Sequence, residues 1–137
     1  MAHYLFNLVG PEVLQARMFG VEADEPHGSA LAAGDLALLY SGAPERELLG
    51  RAVLASAVHA WTPSEVKTYP GASRRGVVLS QVEEWRPAVS MSDVLSRIDR
   101  SQGARADFET SVVRITENEY ETALAVAVAA GVAVAQT

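Results

Sequence analysis

The apolar residues of this chain lie in short runs that end at glycine, proline or acidic residues, and this pattern constrains the fold more than any other feature. Short apolar runs closed by turn residues are typical of strands. The longest apolar run, 123–135, contains one glycine and consists mainly of alanine and valine. The order of strand-like and helix-like segments is mixed, which predicts an α+β fold with a small curled sheet or barrel and flanking helices.

About five segments are predicted as strands and three to four as helices. The predicted strands cover residues 3–9, 36–40, 47–61, 76–85 and 111–115. The predicted helices cover 12–19, 92–98 and the segments after Thr62 and Thr116, each of which precedes a glutamate by three residues in a capping-box pattern. Gly50 is expected at a bulge and Arg86-Pro87 at the end of a strand. Segments 36–40, 47–58 and 75–85 are expected to be neighbours in one sheet, since short connections favour sequential pairing.

Composition excludes several classes of protein. The 137 residues fit one domain, and the absence of cysteine excludes a disulfide framework, a thiolate zinc site and a cysteine nucleophile. The formal net charge of -6 gives no overall attraction for a polyanion. The N-terminus lacks the pattern of a signal peptide and the longest apolar run is too short for a membrane span. A cytoplasmic protein without a membrane partner is expected, as a monomer.

Motifs for a metal, a cofactor or a phosphate loop are missing from the sequence. The three histidines are not paired at ligand spacing, and neither G-x-G-x-x-G nor G-x-x-x-x-G-K occurs. No catalytic residue, metal or cofactor is therefore predicted. Asp35 follows a turn glycine and is expected to accept hydrogen bonds from nearby backbone amides. If the chain were an enzyme, His59 and Glu65 near Trp61 would be the titratable candidates.

Four aromatic residues lie where a predicted element ends and a loop begins: Phe19, Tyr40, Trp61 and Tyr69. Aromatic side chains in such places can converge and stack on a flat ring such as a nucleobase. Positive charge is concentrated nearby, because residues 46–86 contain six basic and four acidic residues. Arg74 and Arg75 could hold a phosphate there. The alternative is that these aromatics belong to the core and that the two arginines are solvated.

Several segments together resemble a known family. They are Phe19-Gly20-Val21, the run from Leu31 through Gly34-Asp35 to Tyr40-Ser41, the run 49–54 with Trp61-Thr-Pro63, and 111–115 followed by Thr116-x-x-Glu119. Their order and spacing are similar to the EVE domain, which belongs to the PUA-like superfamily together with the YTH and ASCH domains. The resemblance spans nearly the whole chain.

This resemblance implies a single PUA-like domain over residues 1–137, with a barrel of five to six strands and an aromatic pocket for a modified nucleobase. Family pockets use tryptophans at two places where this chain has Asn7-Leu8 and Phe19. By position, the implied base-binding residues are Asn7, Phe19, Tyr40, Ser41 and Trp61. Tyr69 is added from its position at an element end. Asn7 and Ser41 would contact a base edge, and Phe19 and Trp61 would stack.

The implied function is a non-enzymatic reader of a modified base in DNA or RNA. Three alternatives stay open at this point. The first is an ASCH-like RNA-associated domain without preference for a modification. The second is a small enzyme that acts on a nucleotide-like ligand in the same pocket. The third is a purely structural protein, in which Phe19 and Trp61 would be ordinary core residues.

Overall fold

The computed structural model describes residues 1–8, 12–42, 44–69, 71–97 and 110–133. Its strands are β1 (His3–Asn7), β2 (Met18–Gly20), β3 (Leu36–Ser41), β4 (Glu47–Leu54), β5 (His59–Ala60), β6 (Arg75–Ser90) and β7 (Val112–Ile115). Its helices are α1 (Glu12–Ala16), α2 (Pro63–Thr68), α3 (Met91–Leu95) and α4 (Glu117–Ala129), with one 3₁₀ turn at Gly28–Ala30.

The strands form one curled, mixed sheet in the order β2-β6-β4-β3-β1-β7, and β5 also pairs with β6. The β1–β3 pair is parallel and the other pairs are antiparallel. The sheet is a half-barrel flanked by a few helices, which confirms the predicted α+β class. The predicted adjacency of β3, β4 and β6 is also confirmed. The sheet has seven strands rather than five to six, because β2 and β5 are too short to show a pattern in the sequence.

The central strands are buried on both faces, so their side chains divide the core in two. Tyr4, Phe6 and Leu39 belong to one cluster, whereas Leu5 and Tyr40 belong to the other. This division follows from the alternation of side chains along a strand. Residues of α3 and α4 cover the second cluster, and the first contains Leu14 of α1 and Phe19 of β2.

Two predicted boundaries are wrong at the edge that carries β2 and β5. The predicted strand 47–61 ends at Leu54, because the Ser56 hydroxyl accepts the Val78 N–H (3.0 Å) that a continued ladder would use. The predicted helix 12–19 ends at Ala16, after which Arg17 has a φ of 57° and Phe19 enters β2.

The predicted end of strand 76–85 at Arg86-Pro87 is also wrong, since β6 continues to Ser90. Gly50 of β4 pairs with Glu84 and Leu48 with Val89, so Pro87 lies in a bulged stretch where its missing N–H is not needed. The bulge at Gly50 was expected, and a Cβ there would collide with the Glu83 carbonyl oxygen.

Local capping signals are confirmed. Thr62 and Thr116 each form a complete capping box at the start of α2 and α4. The buried Asp35 carboxylate accepts hydrogen bonds from the N–H groups of Ala2 and Ala32, both at 3.0 Å. No helix of the described residues combines the length and apolar character that a membrane crossing requires.

Candidate nucleic-acid interface

The predicted site residues lie at two ends of β3 rather than in one place. Asn7 and Ser41 lie at its C-terminal end, where the Asn7 Oδ1 accepts a hydrogen bond from the Gly42 N–H at 3.2 Å. Trp61 and Arg75 lie beyond its N-terminal end, because β6 pairs with β4 only from Leu79 onward and its first residues pair with β5 instead. A strand of six residues spans about 20 Å, so the two groups cannot contact one base together.

Phe19 and Tyr40 lie on opposite faces of the sheet. The Phe19 ring is stacked on Phe6, with a centroid distance of 4.2 Å and an interplanar angle of 5°, and only 3% of Phe19 is exposed. Tyr40 is 1% exposed in the core cluster under α3 and α4. Direct stacking of a base on either residue stays a prediction, and these two rings do not share a pocket.

Trp61 and Tyr69 do converge, in a cluster between β5 and α2. Their ring centroids are 5.1 Å apart at an angle of 42°. The indole N–H of Trp61 donates to the Ser73 carbonyl at 2.9 Å, and the Tyr69 hydroxyl accepts the Gly20 N–H at 3.2 Å. Since both polar atoms are used and Trp61 is only 8% exposed, the cluster joins β2, α2 and the 71–74 loop into one support.

Gly76 allows this support to form. It pairs with Gly20 of β2 on one side and with His59 of β5 on the other. A Cβ at Gly76 would lie 2.6 Å from the Trp61 ring and would also collide with the Phe19 carbonyl oxygen. Only a residue without a side chain lets the indole lie this close to β6.

An open cleft of about 260 Å³ lies next to this support, and we call it the β2–β5 cleft. It is lined by Glu22, Ala23, Glu25, Gly28, Ser29, Leu31, Ala57, Val58 and Arg75. Leu31 is buried and Val58 half-buried, whereas Glu22 and Arg75 are exposed. The lining thus combines an apolar part with two carboxylates and one guanidinium group, a composition suited to a small polar ligand.

One wall of the cleft is connected directly to the aromatic cluster. The Ser73 hydroxyl donates a hydrogen bond of 2.5 Å to the Glu22 carboxylate, and the Ser73 carbonyl is the acceptor for Trp61. The Val21 N–H donates to the Arg75 carbonyl at 3.0 Å, so the backbone beside Glu22 is bound to β6. Trp61 therefore does not line the cleft but supports its wall through the hydrogen bond to Ser73.

His59 and Glu65 form a hydrogen-bonded pair on the outer side of Trp61. The His59 Nε2 lies 2.9 Å from the Glu65 carboxylate, and its Nδ1 lies 3.0 Å from the Ala57 carbonyl. The Ala57 carbonyl and the Glu65 carboxylate both raise the pKa of His59 above its usual 6.5. The hydrogen bond from the Thr62 N–H and the bond from His59 lower the pKa of Glu65. The two side chains bond to each other, and Glu65 also accepts the Thr62 N–H of the α2 cap. Neither residue lines the cleft.

The two arginines predicted to bind phosphate are exposed. Arg75 lines the cleft. The carbonyl of Arg74, the residue before it, accepts a hydrogen bond from the backbone N–H of Trp61 at 3.0 Å. Across the described ranges, no three histidine, aspartate or glutamate side chains are grouped in a way that could hold a metal ion.

Sequence reasoning missed most of the cleft. The segment 22–29 contains none of the predicted site residues, yet it supplies five of the lining residues. The available signal was its position directly after Phe19-Gly20-Val21, a step on which the family resemblance also rests. Only Arg75 of the predicted site residues lines the cleft.

Comparison with protein-family models and with curated proteins gives no match. Similar folds occur among solved structures. A hypothetical protein from Leishmania major has a TM-score of 0.72 at 18% identity, over 96% of this chain and 97% of that chain. Human THYN1, solved in complex with 5-methylcytosine containing DNA, has a TM-score of 0.66 at 13% identity, over 93% and 98%. ASCH from Zymomonas mobilis has a TM-score of 0.56 at 14% identity, over 90% and 94%.

These similarities concern the fold. The chain shares with these structures an α+β fold, a curled mixed sheet that forms a half-barrel with a few helices. The PUA-like and EVE assignments stay predictions, because the ASCH and THYN1 structures both match and the identities are low.

Proposed function

We propose that this protein is a non-enzymatic module that binds a modified base of DNA or RNA, with the base in the β2–β5 cleft. The observation that carries the proposal is the cleft itself, at the edge of a fold that human THYN1 shares. THYN1 was solved with 5-methylcytosine containing DNA, which makes this modified base the first probe to test.

The size of the cleft suits one base. Pockets for drug-sized ligands have volumes of roughly 300–1,000 Å³. At about 260 Å³ the cleft accepts a smaller group, while a sugar and phosphate would remain outside. Leu31 and Val58 offer apolar contact to the ring, and the two carboxylates and Arg75 offer polar contact to its edge.

Positive charge that suits a nucleic-acid backbone lies on one side of the cleft, at Arg74 and Arg75. Arg74 and Arg75 are exposed and adjacent, and can contact the phosphates on either side of an extruded base. Local contacts of this kind are compatible with a net charge of -6, which opposes nonspecific binding along a duplex.

In this proposal the aromatic residues have different roles from those first predicted. Trp61 and Tyr69 support the cleft wall through Ser73 and Gly20, and Phe19 holds β2 against Phe6. The enzyme alternative has one observation in its favour, the His59–Glu65 pair beside Trp61. The Glu65 carboxylate of that pair already accepts hydrogen bonds from His59 and from the Thr62 N–H of the α2 cap, so a binding function is better supported. The cytoplasmic location and monomeric state stay predictions.

The test is an NMR titration of the ¹⁵N-labelled protein with a short single-stranded oligonucleotide carrying one central 5-methylcytosine. We expect saturable shifts at the amides of Gly28, Ala57 and Val58, and none at exposed positions of α4 such as Glu121. Saturable shifts restricted to α4, or no shifts at all, would contradict the proposal.

A further inference from the structure

Of the two described carboxylates that line the β2–β5 cleft, Glu22 is held by a distant segment of the chain. Its Oε1 accepts a hydrogen bond of 2.5 Å from Ser73, whose carbonyl is bound by the Trp61 indole N–H. The backbone before it is bound to Arg75 of β6. Glu25 differs, since among the described residues its carboxylate accepts a hydrogen bond only from the His27 N–H of its own loop, at 3.4 Å.

The second oxygen of Glu22 has no hydrogen-bond partner among the described residues and is available to a ligand in the cleft. An ionised carboxylate accepts hydrogen bonds and donates none. A ligand edge that lies against Glu22 is therefore favoured when it carries an N–H group and disfavoured when it carries a carbonyl oxygen.

We propose that Glu22, positioned by Ser73, is the specificity-determining residue of the cleft and selects bases with an exocyclic amino group over bases with a carbonyl at that position. This inference rests on the proposed function, because it assumes that the cleft holds a base. The amino group of cytosine or adenine would donate to Glu22, whereas the O4 of thymine or uracil would face it as a second acceptor.

The most direct probes are two single-stranded oligonucleotides that differ at one central base, 5-methylcytosine or thymine. Both bases carry the same 5-methyl group, so the comparison isolates the pyrimidine edge with its 4-amino or 4-oxo group. We expect the wild-type protein to bind the 5-methylcytosine oligonucleotide about tenfold more tightly, the order of effect for one hydrogen bond to a charged group.

Glu22→Gln keeps the shape of the side chain but gives it one donor and one acceptor, so the amide can turn to suit either base. We expect this variant to bind the two oligonucleotides with equal affinity. Glu121→Gln, on the exposed surface of α4, removes the same charge far from the cleft and should keep the full preference. Ser73→Ala should reduce the preference to an intermediate value, because Glu22 is then no longer held.

The outcomes separate this inference from the proposed function. Equal wild-type affinity for the two oligonucleotides, or an undiminished preference in Glu22→Gln, overturns the role of Glu22 and leaves base binding intact. Failure of the wild-type protein to bind either oligonucleotide overturns the proposed function as well. Thermal melting of each variant checks that it is folded. If Glu22→Gln does not fold, the reduced preference expected of Ser73→Ala tests the role of Glu22 instead.

Discussion

The indole N–H of Trp61 donates a hydrogen bond to the Ser73 carbonyl at 2.9 Å, and the Ser73 hydroxyl in turn binds Glu22. This relation places a tryptophan behind the wall of the cleft instead of inside it. The consequence is that changes to Trp61 alter stability first and binding second.

Trp61→Ala should therefore lower the free energy of unfolding by about 3–5 kcal/mol, the usual cost of removing a buried tryptophan. Trp61→Phe keeps a ring but leaves the Ser73 carbonyl without its donor, and should cost about 1–3 kcal/mol. Urea denaturation measures both values. Val66→Ala, at an exposed position of α2, is the control and should change little. A stability loss below about 1 kcal/mol for Trp61→Ala would contradict the supporting role and favour an exposed stacking face.

Gly76→Ala tests the close approach of Trp61 to β6. The added methyl group would meet the indole ring and the Phe19 carbonyl oxygen, so we expect a loss of about 1–3 kcal/mol. Gly28→Ala is the matched control, because a Cβ there has only ordinary contacts, at 3.5 Å or more. Differential scanning calorimetry should show a clearly lower Tm for Gly76→Ala than for Gly28→Ala. Equal Tm values for the two variants would show that the Trp61 ring can move away without cost.

The His59–Glu65 pair predicts a pH dependence of stability. The pKa of His59 is raised in the folded protein, so its contribution is complete below about pH 6.5 and is lost as the pH rises through the folded value. The pKa of Glu65 is lowered, so its contribution is present above its ordinary pKa and is lost as the pH falls through the folded value. The pair is thus most stabilising between the ordinary pKa of Glu65, 4.5, and about pH 6.5, and its contribution declines on either side of this range.

His59→Gln should destabilise the protein more at about pH 5.5 than at about pH 8.5, as measured by the urea midpoint. An NMR titration of the His59 ring should also give a lower pKa in Glu65→Gln than in the wild-type protein. If the destabilisation by His59→Gln is the same at both pH values, the imidazolium form is not what stabilises this turn.

Removal of the exposed arginines tests the phosphate contacts. Arg74→Ala combined with Arg75→Ala should weaken binding to all oligonucleotides alike and reduce the salt slope by up to about two, since each neutralised phosphate contributes roughly one. Arg86→Ala combined with Arg97→Ala removes two exposed charges elsewhere and should leave the slope unchanged. An unchanged slope in the first double variant would place the phosphates away from these arginines.

The parts of the fold that depend on residues close together in the sequence could be predicted from the sequence alone. Both capping boxes and the β3 strand follow from local residue types and were predicted within one residue. Phe19 was assigned to a helix because β2 has only three residues and exists through its pairing with β6, far along the chain. Local propensity carries no information about such a pairing.

The candidate site was harder to predict for the same reason. Glu22, Val58 and Arg75 come from three separate segments, which converge because β2 and β5 both pair with β6 at Gly76. Aromatic residues at element ends indicated the correct edge of the sheet through Trp61 and Tyr69. Their position in the sequence could not show that the rings face inward and that the acidic segment after β2 forms the cleft.

Binding of a modified base in the cleft is tested by the affinity of the wild-type protein for two oligonucleotides that differ by one methyl group. Fluorescence anisotropy at several salt concentrations would compare 5-methylcytosine with cytosine in the same sequence. We predict tighter binding of the methylated oligonucleotide at every salt concentration, because the methyl group adds apolar contact in the cleft, whereas the phosphate contacts are shared. Equal affinities at all salt concentrations would contradict recognition of the modified base in the cleft.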